Sequence, residues 1–353
     1  MKSIIKEDLL KIVNSDMPIE SMKNSKVFIT GATGLLGSLM VRLLALYNSL
    51  MNTNIYIIAY VRNQEKARKI FGELLEDSRI QVICGDINRE IIVDEQVDYI
   101  IHGASATSSK FFVSNPVETI KTAIDGTKNV LEFAREKKIK GFVYLSSLEV
   151  YGIPTKDGFI EEEDYGYIDP LSVRSSYSEG KRMAECLCIA YGHQYKLPVT
   201  IARLSQTFGA GVEYLDERVF AQFARSVIEK RNIVLHTKGD TMRSYCYTTD
   251  ALSAILRVLL TGVSGQAYNV TNMSTAISIR NMAEMVCNMF GEGNIQVIFD
   301  IPEKVEEFGF NPEMIIKLDS SRLMKLGWNP QVDLNEMFQR LIEYMEGDYR
   351  ECS

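Results

Sequence analysis

Short runs of branched apolar residues recur along the first two hundred positions, separated by stretches with helical spacing. Lys26-Val-Phe-Ile-Thr30, Ile55-Tyr-Ile-Ile-Ala-Tyr-Val61 and Ile80-Gln-Val-Ile-Cys84 read as strands. Val97-Asp-Tyr-Ile-Ile101, Gly141-Phe-Val-Tyr-Leu145 and Val199-Thr-Ile-Ala-Arg203 continue the series. Helices are expected from Leu35 to about Leu46, from about Val117 to Lys137, and around Tyr177 and Lys181. This alternation predicts an α/β fold, a doubly wound parallel sheet covered on both faces. Ile4 to Val13 has helical apolar spacing ahead of the first strand, so residues 1–25 form a helical arm that packs on the main body or on a neighbouring subunit. After Arg203 the alternation weakens, and Gly209, Gly211, Gly239, Pro302, Pro312 and Pro330 mark loops. Residues 26–203 are expected to form the sheet domain. Residues 204–353 form mainly a smaller domain over the carboxyl ends of the strands, where such folds bind ligands, with a segment near 241–262 returning to the first.

Composition narrows the partners. The 353 residues are 46% hydrophobic and 24% charged, a globular balance, and the net charge of −7 leaves no basic footprint for nucleic acid. Cys84, Cys186, Cys188, Cys246, Cys287 and Cys352 lack metal or disulfide spacing, and His102, His193 and His236 are too dispersed for a metal cluster. No signal-peptide pattern opens the chain and no apolar run is long enough to span a bilayer, so the expected location is cytoplasmic and away from membranes. Glu161-Glu-Glu-Asp164 reads as a solvated loop, and Met282, Met285 and Met289 as core or subunit contact. Trp328 is expected to pack the second domain. Tyr151 and Tyr167 suit either a substrate mouth or plain packing.

Chemistry concentrates at three places. Gly31-Ala-Thr-Gly34-Leu-Leu-Gly37 follows a strand and opens a helix, the context of a dinucleotide fingerprint. Gly31 allows the tight turn, Gly34 the approach of a pyrophosphate and Gly37 close packing of helix on sheet, with Thr33, Leu35 and Leu36 in the same turn. The fold is therefore Rossmann-like. The second strand ends without the acid that grips the ribose of NAD. Arg62 there suits the 2′-phosphate of NADP, or a solvated surface charge. Asp86, followed by Ile87, stands where it meets an adenine or caps a turn. Farther on, Leu145-Ser-Ser147 ends a strand and Tyr177-Ser-Glu-Gly-Lys181 sits on a helix, where positions four apart share a face. The Lys181 ammonium is expected beside the Tyr177 phenol, lowering its pKa. A tyrosinate near a nicotinamide takes a proton from a sugar hydroxyl while hydride leaves the same carbon.

Together with His102-Gly-Ala104-Ser105, Ser146-Ser-Leu-Glu-Val-Tyr-Gly152, Arg203-Leu-Ser-Gln-Thr-Phe-Gly209, Arg243-Ser-Tyr-Cys-Tyr-Thr-Thr-Asp250 and Leu326-Gly-Trp-Asn-Pro330, these motifs resemble the extended short-chain dehydrogenase/reductases. Within these, they resemble the NAD-dependent epimerase/dehydratase family, which acts on nucleotide sugars. The resemblance runs from Lys26 to about Pro330. It implies NAD, with NADP as the alternative, a substrate that is a nucleotide diphosphate sugar carrying UDP, and a homodimer formed through helices of the cofactor domain. It also implies Tyr177 as base, Ser147 bonded to the reacting hydroxyl, Lys181 on the nicotinamide ribose and Arg243 on the substrate phosphates. Among family members the chain looks most like UDP-glucuronate decarboxylases, through Ser147-Leu-Glu149, Glu162-Glu-Asp-Tyr165 and Arg174-Ser-Ser-Tyr-Ser-Glu-Gly-Lys-Arg182. In that reading Glu149 orients the sugar ring or handles its proton; the alternative is a carboxylate paired with a nearby Arg or Lys. The chain departs from the family at Ala123 and Gln206, which replace asparagines, and at Phe112, which replaces a tyrosine near the sugar. Leu148 stands where dehydratases carry an acid. A nucleotide-sugar 4-epimerase and a non-catalytic cofactor sensor are the remaining readings.

Overall fold

A computed structural model describes residues 3–106, 108–301 and 313–352. Pro302 and Pro312, expected to mark loops, lie outside the described residues. The chain runs α1 (Ser3–Val13), β1 (Lys26–Thr30), α2 (Leu35–Met51), β2 (Tyr56–Val61), α3 (Gln64–Phe71), β3 (Ile80–Cys84), β4 (Tyr99–His102), α4 (Ser109–Ser114), α5 (Pro116–Lys137) and β5 (Gly141–Ser147). It continues β6 (Phe159–Ile160), α6 (Ser175–Tyr195), β7 (Val199–Leu204), β8 (Gln206–Phe208), α7 (Val219–Ile228), β9 (Ile233–Leu235), β10 (Met242–Tyr247) and α8 (Thr248–Thr261). β11 (Ala267–Val270), β12 (Asn272–Ser278), α9 (Ile279–Phe290), β13 (Val297–Phe299), β14 (Ile315–Leu318), α10 (Ser321–Met324) and α11 (Leu334–Cys352) complete it.

A seven-stranded sheet in the order β11-β7-β5-β4-β1-β2-β3 forms the first layer system. All its pairings are parallel. From β1 the chain moves outward to β3 and then returns to β4 on the other flank of β1, which puts the switch point, and the crevice it opens, between β1 and β4. Apolar faces of α2 and α8 cover one side of the sheet, while α5 and α6 cover the other. The inner strands are buried almost throughout because both faces are roofed, which explains their unbroken apolar runs, while edge strand β3 is partly exposed.

A smaller sheet, β12-β10-β14-β6 with β8 beside β10, and a β13-β9 pair carry the second unit, cored by α7, α9 and α11. The partition differs from the expected one at three points. β6 lies within the span assigned to the large sheet, yet it pairs with β14 of the small one. β10 stays in the small sheet, whereas α8 and β11 join the large unit, so the returning stretch is 248–270 rather than 241–262. The reason is burial: every residue of α8 from Thr248 to Leu259 except Ser253 is buried, Ala251, Leu252, Ala254, Ile255, Leu256 and Val258 among them, so the helix needs cover from both α2 and the sheet. Trp328 likewise packs into the core of the first unit, its indole N–H donating to the Asp250 carbonyl at 3.1 Å.

The N-terminal arm packs on its own chain. Ile4, Ile5, Leu9, Ile12 and Val13 are buried against α2 and α8. Asp8, also buried, accepts from the Tyr247 hydroxyl at 2.5 Å and from Arg340 of α11 at 2.8 Å. Among the described residues, no helix is long and apolar enough to cross a membrane.

Candidate active site

The glycine turn sits at the switch point. Gly31 adopts φ +69°, and a Cβ there would lie 2.8 Å from the Gly103–Ala104 backbone, so the turn after β1 and the chain after β4 touch. At Gly37 a Cβ would come within 2.2 Å of the Gly31 carbonyl oxygen, which is why α2 begins directly beneath the turn. α2 has no side-chain cap and no acid in its first turn, leaving its N-terminal amides open to an anion. Gly34 is exposed, and Thr33, Leu35 and Leu36 are half-buried around it. Ala104 is drawn in by its N–H, which donates to Thr30 Oγ1 at 3.1 Å. Thr30 in turn meets His102 Nδ1 at 2.7 Å, and Nε2 of that ring lies 3.1 Å from Thr127 Oγ1. Burial, reinforced by the Lys181 charge, drives His102 down to about 3, so a neutral ring staples β1, β4 and α5 together.

Toward the other end of this crevice, Arg62 is exposed just beyond β2. The Asp86 carboxylate accepts the Asn88 amide at 2.9 Å, the turn-capping geometry, and Ile87 is buried against α5 at Gly126.

Tyr177 and Lys181 lie one turn apart on α6, beside the end of β5. The Lys181 Nζ donates to the Leu145 carbonyl at 2.8 Å and sits 4.7 Å from the Tyr144 ring centre and 5.8 Å from that of Tyr177. Burial lowers Lys181 to about 8, while Glu185 pulls the other way. The Tyr177 phenol hydrogen-bonds Ser147. Its pKa moves opposite to expectation, up to about 12, because burial outweighs the help from Ser147. Two contacts explain this: the ammonium is turned to a carbonyl, and Phe112 stacks on the Tyr177 ring at 4.2 Å with planes within 9°. Phe112 is thus placed against the phenol itself.

Glu149 follows Ser147 in a short 3-10 turn and is held from α6 and the loop before it. Arg174 donates to its Oε1 and Ser178 to its Oε2, each at 3.4 Å, so the paired-carboxylate alternative is the geometry seen. Leu148 points into an apolar cluster with Val150 and Ile316. Gln206 stands half-buried on β8 opposite Tyr245. Arg243 on neighbouring β10 is buried; its Nε–H has no hydrogen-bond partner among the described residues, and its Nη2 lies 3.6 Å from Met314 Sδ. A buried guanidinium with no carboxylate at ion-pair distance among the described residues is costly, and a ligand phosphate would relieve it.

For Tyr151 the packing alternative holds: it is fully buried and donates to Asn269 Oδ1 at 2.6 Å. One expectation about neighbours is corrected. Glu162 is not solvated: it is buried and accepts the Asn269 amide at 2.8 Å. Sequence reasoning also missed Glu185, whose carboxylate accepts from Ser146 at 2.5 Å and from Arg203 Nη2 at 2.7 Å. Its signal was available, since Glu185 follows Lys181 by four positions on the same helix.

Residues 27–271 match the model of the NAD dependent epimerase/dehydratase family. The chain belongs to that family. Membership makes it an enzyme whose cofactor is NAD. Relatives of this epimerase/dehydratase include UDP-glucuronic acid decarboxylase 3 of Arabidopsis thaliana, 29% identical over 98% of this chain and 96% of that one. Among solved structures, UDP-glucose 4-epimerase from Thermotoga maritima superposes with a TM-score of 0.77 at 19% identity, covering 92% of this chain and 99% of that one. UDP-glucuronic acid 4-epimerase from Bacillus cereus, solved with UDP-glucuronic acid and NAD, gives 0.75 at 21% identity, covering 92% and 100%. The residues present fit the family's dinucleotide. The uncapped, acid-free start of α2 would receive its pyrophosphate, and the close glycine turn leaves no side chain in the way.

Proposed function

We propose that this epimerase/dehydratase oxidises a ring hydroxyl of a UDP-linked sugar, with decarboxylation of UDP-glucuronate as its reaction. The observation that carries the reading is the convergence of the Tyr177 phenol, the Ser147 hydroxyl and the buried Lys181 ammonium at the end of β5. The curated relative of similar length that decarboxylates UDP-glucuronic acid supports the substrate. The Gly31–Gly37 turn and the start of α2 would hold NAD, which would supply a reversible hydride acceptor for the sugar carbon. The chain's own residues manage charge and protons. Ser147 hydrogen-bonds the C4 hydroxyl and Tyr177 accepts its proton, with the Ser147 hydrogen bond and the Arg174 charge opposing the burial that otherwise keeps the phenol protonated. A ketone at C4 draws electrons from the C5–C6 bond; that bond breaks, carbon dioxide leaves, and C5 takes a proton. Glu149, steadied by Arg174 and Ser178, is assigned to the ring face where that proton arrives. Arg243 is assigned to the diphosphate, which would supply the partner its Nε–H lacks among the described residues.

One observation favours 4-epimerisation as the second reading. Phe112 presents only a ring against Tyr177, where the decarboxylases it resembles carry a hydroxyl. A site that loses one hydrogen bond to its substrate discriminates strongly against it. The two reactions separate in an NMR time course of the protein with NAD and UDP-glucuronate. Decarboxylation yields a UDP-pentose and carbon dioxide, whereas epimerisation retains the carboxylate and inverts C4. An unchanged spectrum with NAD demonstrably bound would remove UDP-glucuronate as substrate. Tyr177→Phe addresses the sensor alternative: cofactor binding is retained and turnover falls by roughly 10²–10⁴-fold, whereas a sensor would lose nothing.

A further inference from the structure

We propose that Glu185 is a positioning residue for Lys181, and that Arg203 is the buried counter-ion that keeps its carboxylate in place. The inference rests on Lys181 belonging to the active site and extends the site inward by one helical turn. Lys181 and Glu185 grip consecutive residues of β5. The ammonium donates to the Leu145 carbonyl at 2.8 Å, and the Glu185 Oε1 accepts from the Ser146 hydroxyl at 2.5 Å. Ser147, next along the strand, is thereby presented to Tyr177. Two turns of one helix thus clamp the strand end that carries the third member of the constellation.

Charge argues the same way. Lys181 and Glu185 are both buried, and isolated charges there would each be expensive. The groups facing Lys181 are the Tyr144 ring and Leu145 carbonyl from β5, neutral His102 from β4, and Tyr177, Cys188 and Glu185 from its own helix. Of these, the carboxylate is the strongest group sustaining the ammonium against desolvation. Arg203, on β7, answers Glu185 with Nε at 3.0 Å to Oε1 and Nη2 at 2.7 Å to Oε2. It is itself pinned by the Tyr151 and Tyr165 hydroxyls and the Glu162 carbonyl, at 3.0, 2.5 and 2.6 Å. A guanidinium fork anchored on its far side holds the carboxylate in one orientation, against the Ser146 hydroxyl of the strand that Lys181 also grips.

The test reads the lysine directly and needs no sugar. The full-length protein is prepared with carbon-13 at lysine Cε, Lys181 is assigned by its loss in Lys181→Met, and its resonance is followed against pH. Wild type should titrate near the value of about 8 that burial imposes. Glu185→Gln keeps the shape and the Ser146 bond but removes the charge; Lys181 should then titrate lower by about one pH unit or more, and Glu185→Asp should restore the wild-type value. An unchanged titration in Glu185→Gln overturns the proposal. If that variant fails to fold by circular dichroism, Arg203→Lys decides: a carboxylate freed from its fork supports the Lys181 ammonium less and lowers its titration, and no shift rejects the idea. Absence of turnover with every nucleotide sugar would count against the reaction proposed above while leaving this readout intact. Where turnover is found, the alkaline limb of kcat/KM should move down with the lysine in Glu185→Gln.

Discussion

Arg243 makes a prediction with two opposite halves. Replacing it by Met removes a buried N–H that lacks a partner among the described residues, so stability should hold or rise in urea titrations. The same change removes the cation assigned to the diphosphate. Loss of charge-assisted hydrogen bonds should raise the KM for the nucleotide sugar by roughly 10- to 100-fold. A drop in stability with unchanged KM would mean that the guanidinium serves the fold. How far such side chains can be read from a motif depends on what surrounds them. Tyr177 and Lys181 were legible because a helix brings positions four apart together whatever else happens. The direction of the phenol's pKa was not, since it depends on Phe112, which arrives from α4, sixty-odd positions earlier in the chain.

α1 shows what a short amphipathic helix contributes when its neighbours are known. Its apolar stripe was visible in Ile4 to Val13, and its partner surface was not. In the folded chain Leu9 is fully buried between α2 and α8, and Asp8 links Tyr247 to Arg340. Leu9→Ala should therefore destabilise the monomeric chain by about 2–5 kcal/mol, measured by urea unfolding at fixed protein concentration. A loss below half a kilocalorie would mean that the arm is held elsewhere. α8 and Trp328 teach the complementary lesson. Both sit in the second half of the sequence and pack in the first unit, because a helix with so broad an apolar surface is stable only between covering layers.

The assembled protein exposes Val117 and Ile120 on α5 and Met183 on α6, two helices that pack side by side at Ala123 and Gly180. We expect this face to close a homodimer, and Ile120→Glu should shift sedimentation velocity from dimer to monomer. A wild-type protein that sediments as a monomer at micromolar concentration would reject that expectation. The pattern of apolar runs and glycines was enough to specify a parallel Rossmann-like sheet with its cofactor turn after β1, since period and backbone freedom are local properties that few residues set. Helical spacing was likewise enough to put Tyr177 and Lys181 one turn apart on a single helix. Membership of the small sheet, the burial that lifts Tyr177 and lowers Lys181, and the Ser146–Glu185–Arg203 clamp were decided by packing. Those properties depend on how much water several distant segments exclude at once, and no single stretch of the chain carries that sum.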